Sequence, residues 1–192
     1  NPTKPVGPVY DKAQADKLHQ EKGWTMAPDG GHFRRVVPSP LPMKIIEMNV
    51  IRTLVDNGFV VICAGGGGIP VAYDENRKLF GVEAVIDKDL ASALLARGLD
   101  ADMFAMLTDV PYVYADFGTE KQKAIKAVHP DTLEKLDFAS GSMGPKVKGA
   151  CWFVRETGNM SVIGRLSDLS NVISGNTGTL ISNEVEGIQF EE

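Results

Sequence analysis

The sequence predicts an α/β protein in which helices cover both faces of a mostly parallel central sheet, giving a three-layer sandwich. The first observation is a helical repeat of apolar residues over 45–55, followed directly by an apolar run over 59–64 that is typical of a buried strand. The second is that this alternation continues along the chain, with strands predicted at 103–107, 161–163 and 179–182. Parallel strands joined by right-handed helical crossovers give this order of elements.

Residues 1–42 differ from the rest of the chain, because they hold seven of the eleven prolines. Proline fixes φ and lacks an N–H donor, so we expect an irregular, extended segment with one helix over 11–21. We therefore expect a lid-like protruding subdomain over 1–41 and an α/β domain over 42–192.

Four consecutive glycines follow the apolar run: Gly65, Gly66, Gly67 and Gly68. Glycine has no Cβ, so the backbone N–H groups of such a turn can approach an anion closely. A tight turn without a ligand is the alternative, and it is the more frequent one for an isolated run of glycines.

Asp87, Lys88 and Asp89 lie where a strand predicted at 85–86 is followed by a helical pattern. Open α/β sheets bind their ligands at such strand ends. A helix cap is the alternative for either aspartate, and a solvated surface charge is the alternative for Lys88. Taken together with the glycine turn, the triplet favours a site that moves a phosphoryl group.

Lys146 closes a second glycine-rich turn, GSMGPK, at the start of a predicted helix. Backbone amides and the helix dipole favour phosphate at such a position. The turn is not a Walker A loop, because it lacks the four-residue spacer and the following Ser or Thr. Spacing alone leaves a phosphate contact and a surface position equally open for Lys146.

Composition excludes several classes of partner. The formal net charge of -5 argues against nucleic acid as the main partner. No apolar run reaches membrane-spanning length, so we expect no membrane partner. Cys63 and Cys151 have no metal-ligand spacing, and we expect reduced thiols in a cytoplasmic protein without metal-ligating residues.

Six motifs occur in the order NPTKPVGPVY, RRVVPSP, GGGGIPV, GVEAVIDKDLAS, LTDV and GSMGPKV. On these motifs, the chain resembles the carbamate kinase branch of the amino acid kinase family over residues 1–181. The resemblance implies the amino acid kinase fold, truncated at its N-terminus, because the LGGNA-type loop and the GNGPQVG-type segment of the family are missing from this sequence. It also implies that residues 42–192 are the nucleotide-binding domain.

The resemblance implies reversible phosphoryl transfer between ATP and carbamate, which gives ADP and carbamoyl phosphate, with Mg²⁺ as cofactor. Lys4 would reach the transferring phosphoryl group, and Lys88 and Lys146 would stabilise charge on the phosphates. Asp89 would hold these lysines in position, and Gly65–Gly68 would lie near the acceptor. The nucleotide would be bound by Asp109, Tyr114, Phe117, Met143 and Lys146. The full-length protein would be a homodimer.

Two alternatives remain open. The first is another member of the same family, an acetylglutamate or uridylate kinase, against which the NPTKPVGP and RRVVPSP stretches and the DKD triplet argue. The second is a nucleotide-binding module without turnover, which the missing glycine loop favours for the isolated chain.

Overall fold

The computed structural model describes residues 1–139 and 141–191, and Ser140 and Glu192 lie outside the described residues. The chain divides into two compact units, both discontinuous in sequence. The first contains Asn1–Pro42 and Cys63–Asp87, and the second contains Met43–Ile62 and Lys88–Glu192. The first unit therefore combines the proline-rich start with a later segment. The chain passes between the two units more than once, whereas the expected division has a single boundary between residues 41 and 42.

The first unit contains a small antiparallel sheet where an irregular segment was expected. Its elements are β1 (Lys4–Tyr10), helix α1 (Lys12–Lys22), β2 (Met26–Asp29), β3 (His32–Val37) and a hairpin of β4 (Val71–Tyr73) with β5 (Leu79–Gly81). The strand order is β1-β3-β2, so Pro5, Pro8 and Pro28 all lie on edge strands, where proline is tolerated. The predicted helix is confirmed as α1, because Asp11 Oδ1 accepts a hydrogen bond from Gln14 N at 2.8 Å and caps it.

The second unit confirms the α/β class. Its elements are α2 (Met48–Asp56), α3 (Lys88–Leu99), β6 (Met103–Thr108), β7 (Val113–Ala115), β8 (Lys123–Val128), α4 (Pro130–Leu133), α5 (Met143–Thr157), β9 (Met160–Arg165), α6 (Leu169–Ile173), β10 (Thr179–Ile181) and β11 (Ile188–Phe190). The strands lie in the order β11-β8-β10-β9-β6, and β7 also pairs with β8.

The sheet of the second unit is mixed, which corrects the expectation of a mostly parallel sheet. The pairs β8–β10 and β6–β9 are parallel, whereas β7–β8, β9–β10 and β8–β11 are antiparallel. Short connections are one reason, because a parallel return needs a crossover of about a dozen residues or more. Only residues 116–122 join β7 to β8, and only residues 182–187 join β10 to β11.

Helices pack on both faces of this sheet, as the three-layer expectation requires. On one face, the fully buried Phe153 and Val154 of α5 pack in a common core with Ile163 of β9. Successive strand residues point to opposite faces. On the other face, a Cβ added to Gly164 would meet the side chain of Val172 in α6.

Cys151 is a packing residue of the same core. It is fully buried on α5, and burial raises the pKa of its thiol to about 12. A thiol with so high a pKa is chemically inert near neutral pH. Neither Cys63 nor Cys151 forms a disulfide.

Residues 59–64 do not form a strand, so the prediction of a buried strand there is wrong. The side chains of Val60 and Ile62 are 97% and 95% exposed, which means that no sheet layer covers this apolar run. A strand that is apolar on both faces is stabilised only inside a sheet with a layer on each side. The strand predicted at 85–86 is likewise wrong, because these residues are irregular, and only Asp87 separates them from the start of α3.

The longest helix among the described residues is α5, which spans 15 residues. A bilayer crossing needs about 20 consecutive, mostly apolar residues. Within the described part of the chain, no helix combines the length and the apolar composition that a membrane span requires.

Candidate active site

In the first unit, Lys4 and Asp87 form an ion pair. Lys4 Nζ lies 2.7 Å from Asp87 Oδ2, and the Asp87 side chain is only 9% exposed. Lys4 is the first residue of β1, where it pairs in register with the buried Val37 of β3. The sheet therefore fixes the backbone that carries Lys4, and a buried carboxylate fixes the ammonium.

The glycine turn belongs to the same unit, and its geometry requires glycine at three of the four positions. Gly65 and Gly68 have φ of +62° and +80°, in the left-handed region. A Cβ added to Gly67 would collide with the backbone carbonyl of Ile86, the residue before Asp87. The turn thus packs against the backbone that leads into the Asp87 triplet, which accounts for Gly67 without a ligand. Gly66 is exposed.

In the second unit, Asp89 and Lys146 form a buried ion pair. Lys146 Nζ lies 3.2 Å from Asp89 Oδ1 and 3.1 Å from Asp89 Oδ2, and the two side chains are 10% and 11% exposed. Lys88 is different, because its side chain is 65% exposed and its Nζ lies 3.8 Å from Asp89 Oδ2. Burial excludes a surface position for Lys146.

A close approach of α3 and α5 brings this pair together. Gly149 lies three residues after Lys146 in α5, so both face the same side of the helix. A Cβ added to Gly149 would lie only 3.1 Å from the backbone oxygen of Asp89. The missing side chain at Gly149 lets the helices approach, and the same approach places the Lys146 ammonium against the Asp89 carboxylate.

The structure therefore divides the lysines between two carboxylates, whereas the resemblance implied that Asp89 alone would hold them. Asp87 pairs with Lys4, and Asp89 pairs with Lys146 and, more distantly, with Lys88. Sequence reasoning missed Asp87 as the partner of Lys4, because 83 residues separate them and no local pattern marks the pair.

Asp109 follows β6 at the end of a parallel strand pair. Its Oδ1 accepts a hydrogen bond from Thr108 Oγ1 at 3.0 Å. Thr108 lies opposite Arg165 in the register of β6 with β9, and Asp109 and Arg165 line an open depression of about 570 Å³. Ligands of α/β proteins bind at the carboxyl ends of parallel strands. Arg165 was not singled out from the sequence, although its place at the end of an apolar strand is a usable signal.

The aromatic residues expected at the nucleotide form a pair. The rings of Tyr114, in β7, and Phe117 lie 5.9 Å apart, and Phe117 is 69% exposed. Met143, the first residue of α5, packs against the edge of the core. Among the hydrogen bonds of the described residues, none joins this ring pair to Asp109.

A cluster of charges on α4 and α5 has a structural role. Arg155 donates to Asp131 at 2.7 Å and lies 2.8 Å from Glu134. The hydrogen bond from Arg155 holds the pKa of Asp131 below its usual range, and the same bond raises the pKa of Arg155. These exposed pairs connect α4 to α5.

The chain belongs to the amino acid kinase family, whose model matches residues 11–164. It is similar to the carbamate kinase of Haemophilus influenzae, with 54% identity over 190 residues that make up 99% of this chain and 61% of that protein. Among solved structures, carbamate kinase from Giardia lamblia bound to AMP-PNP is 42% identical, with a TM-score of 0.86 over 95% of this chain and 59% of that chain.

A likeness to UMP kinase from Bacillus anthracis, with a TM-score of 0.54 and 14% identity over 76% of this chain and 54% of that chain, shows the fold alone. The expected amino acid kinase fold is confirmed. The chain spans about 60% of the length of the carbamate kinases that it matches.

The buried pair leads to a prediction about stability. Asp89→Asn leaves the Lys146 ammonium buried without its main counter-charge, and loss of one partner of such a pair costs about 3–5 kcal/mol of unfolding free energy. Lys146→Met should cost a comparable amount. The double variant should lose clearly less than the sum, because no uncompensated charge remains.

Urea denaturation of the native chain and the three variants measures this coupling. Lys88→Met is the matched control, because Lys88 is exposed and its substitution should change stability by about 1 kcal/mol or less. Strictly additive costs for Asp89→Asn and Lys146→Met would contradict the pairing.

Proposed function

We propose that this chain is part of a carbamate kinase, which transfers a phosphoryl group reversibly between ATP and carbamate and gives ADP and carbamoyl phosphate. The observation that carries the proposal is the similarity to carbamate kinases at 42% to 54% identity over 95% to 99% of this chain. The lysines with their carboxylate partners support the reaction class.

Phosphoryl transfer requires mainly positioning of the reactants and neutralisation of phosphate charge. We propose that Lys4, Lys88 and Lys146 supply that positive charge and that Asp89 keeps the Lys146 ammonium in place. No general base is required of the protein, because the chemistry needs no proton abstraction from carbamate. The exposed turn at Gly65–Gly68 would contact the acceptor or its phosphate.

The nucleotide is proposed to bind the second unit. Two observations support this: the depression beside Asp109 and the exposed ring of Phe117 next to Tyr114. An exposed aromatic ring can stack on a purine, and a strand end can contact the ribose or phosphates. Lys146 and Met143 complete the proposed set of nucleotide-binding residues.

Mg²⁺ is proposed only as an ion bound by the nucleotide phosphates, that is, as part of the substrate. Mg²⁺ is commonly bound by substrate phosphates together with one or two carboxylates. Among residues 1–139 and 141–191, no group of three His, Cys, Asp or Glu side chains could hold an ion. Asp87 and Asp89 face ammonium groups, so we assign no residue of this chain to the metal.

Two further parts of the proposal concern the complete protein. Cytoplasmic location is proposed because the two cysteines of the sequence, Cys63 and Cys151, are expected to be reduced thiols. A homodimer is supported by the family resemblance.

The alternatives are weaker. Likeness to a UMP kinase extends to the fold alone, at 14% identity. A nucleotide-binding module without turnover is favoured by one observation, namely that the chain spans about 60% of its relatives' length. That alternative applies to the isolated chain and not to a complete protein.

The proposal is tested in the complete protein, with this chain joined to the amino-terminal region expected from the resemblance. We expect ATP to form from ADP and carbamoyl phosphate. Lys146→Met should lower kcat by about 10² to 10³, the loss seen when one preorganised charge-stabilising group is removed. ATP formation from ADP and acetylglutamyl phosphate, or phosphorylation of UMP, with carbamoyl phosphate inactive, would contradict the assignment.

The nucleotide site is tested with the isolated chain. ADP at 100 times its Kd should stabilise the chain by roughly 2.7 kcal/mol. Phe117→Ala should weaken ADP binding about tenfold, a loss within the range of aromatic–base stacking. Calorimetry of both proteins gives the two affinities, and Phe190→Ala is the control, since Phe190 is also a partly exposed aromatic residue of the second unit. Equal effects of the two substitutions would argue against stacking on Phe117.

A further inference from the structure

The Asp87 carboxylate has no role in the function proposed so far, although it is buried and carries a charge. Its side chain is 9% exposed, and its Oδ2 lies 2.7 Å from Lys4 Nζ. A buried carboxylate is costly unless an opposite charge and hydrogen bonds compensate it. Because the Asp87 carboxylate is buried, a contribution to surface solubility does not explain its presence.

The backbone on both sides of the Lys4–Asp87 pair is fixed at the end of β3. Thr3 N donates to Val37 O at 3.1 Å, and Lys4 pairs in register with Val37. Val85 N, two residues before Asp87, donates to Pro38 O at 3.0 Å. The segments that carry Lys4 and Asp87 are thus both hydrogen-bonded to adjacent residues of one strand end, so the pair is set by the fold of the first unit.

A second lysine–aspartate pair in the same unit shows what an ordinary surface pair looks like. Lys12 and Asp16 also lie 2.7 Å apart, but their side chains are 68% and 56% exposed, one helical turn apart in α1. Exposed pairs of this kind fix neither partner strongly. The Lys4–Asp87 pair has the same distance between its charged atoms, but its carboxylate is buried, and this restricts the Lys4 ammonium to one position.

We propose that Asp87 is a positioning residue that acts through Lys4. In the triplet Asp87-Lys88-Asp89, each carboxylate then serves a different lysine: Asp87 orients Lys4, and Asp89 orients Lys146. An ammonium has three N–H donors, so Lys4 can keep one bond to Asp87 and direct others to phosphate oxygens. This inference rests on the proposed phosphoryl transfer for its functional consequence, but the pairing itself does not.

The first test needs no turnover. Limited acylation of the native chain, followed by mass spectrometry, compares the amine reactivity of Lys4 with that of Lys12. We expect Lys4 to react several-fold more slowly than Lys12, and Asp87→Asn to remove that protection while Asp16→Asn leaves the Lys4 rate unchanged. Equal rates for Lys4 and Lys12 in the native chain would overturn the proposal, whether or not any variant folds.

The second test measures turnover in the complete protein. Asp87→Asn should lower kcat about 10- to 100-fold with little change in the KM for ADP, since a displacement of about 1 Å costs on that order. Asparagine also caps helices as well as aspartate does, so this change leaves any capping of α3 intact. Asp87→Glu should restore part of the kcat.

The double variant Asp87→Asn with Lys4→Met separates positioning from a general structural role. If Asp87 acts through Lys4, the double variant should have the kcat of Lys4→Met alone. A further loss in the double variant, or a kcat for Asp87→Asn within twofold of native, would overturn the proposal. Protection of Lys4 in a complete protein that forms no ATP would instead contradict the proposed function and leave the pairing intact.

Discussion

The buried ion pair between Asp89 and Lys146 is the constraint on which the second unit's candidate site depends. Two charges removed from water are tolerated only when they face each other and their hydrogen bonds are satisfied. That requirement fixes where α3 begins relative to α5, and Gly149 makes the approach possible. Helix α5 also contributes Phe153 and Val154 to the core, so the position of the Lys146 ammonium is coupled to the packing of the second unit.

The three lysines differ in how freely they can move. The side chain of Lys146 is 11% exposed, that of Lys4 is 35% exposed and that of Lys88 is 65% exposed. A buried, paired ammonium offers a fixed positive charge, and an exposed one on a flexible stem can follow a ligand. In the proposed phosphoryl transfer, a fixed charge would help to define the geometry and an exposed one would be free to follow the group.

Sequence reasoning succeeded where the signal is local. Asp11 caps helix α1, and helix α5 ends at Gly158, whose φ is +77°. Both the cap and the helix end can be predicted from neighbouring residues. Strand β8 was not predicted, because Lys123 and Lys126 interrupt its apolar pattern. Residues 59–64 have the composition of a central strand, but composition cannot supply the neighbouring strands and layers that such a strand needs.

The candidate site shows the same difference between local features, which the sequence predicts, and long-range contacts, which it does not. The lysines and aspartates were identified from motifs, but their pairing was not, because 57 residues separate Asp89 from Lys146 and 83 separate Lys4 from Asp87. Long-range pairs follow from tertiary packing and leave no periodic trace in the sequence. Gly149 is a similar case. From the sequence alone, a glycine within a helix only lowers helix propensity. The structure shows its role, because a Cβ added there would lie 3.1 Å from the backbone oxygen of Asp89.

The central claim, that Lys146 is fixed by Asp89 before any ligand binds, is tested most directly by proton–nitrogen NMR of the lysine ammonium groups. Ammonium protons in contact with water exchange too fast to observe at neutral pH, whereas buried and hydrogen-bonded ones are protected. We expect a resolved ammonium signal that Lys146→Arg removes, that Asp89→Asn abolishes and that Lys88→Arg leaves unchanged. A Lys146 ammonium that exchanges as fast as that of Lys88 in the native chain would contradict the account.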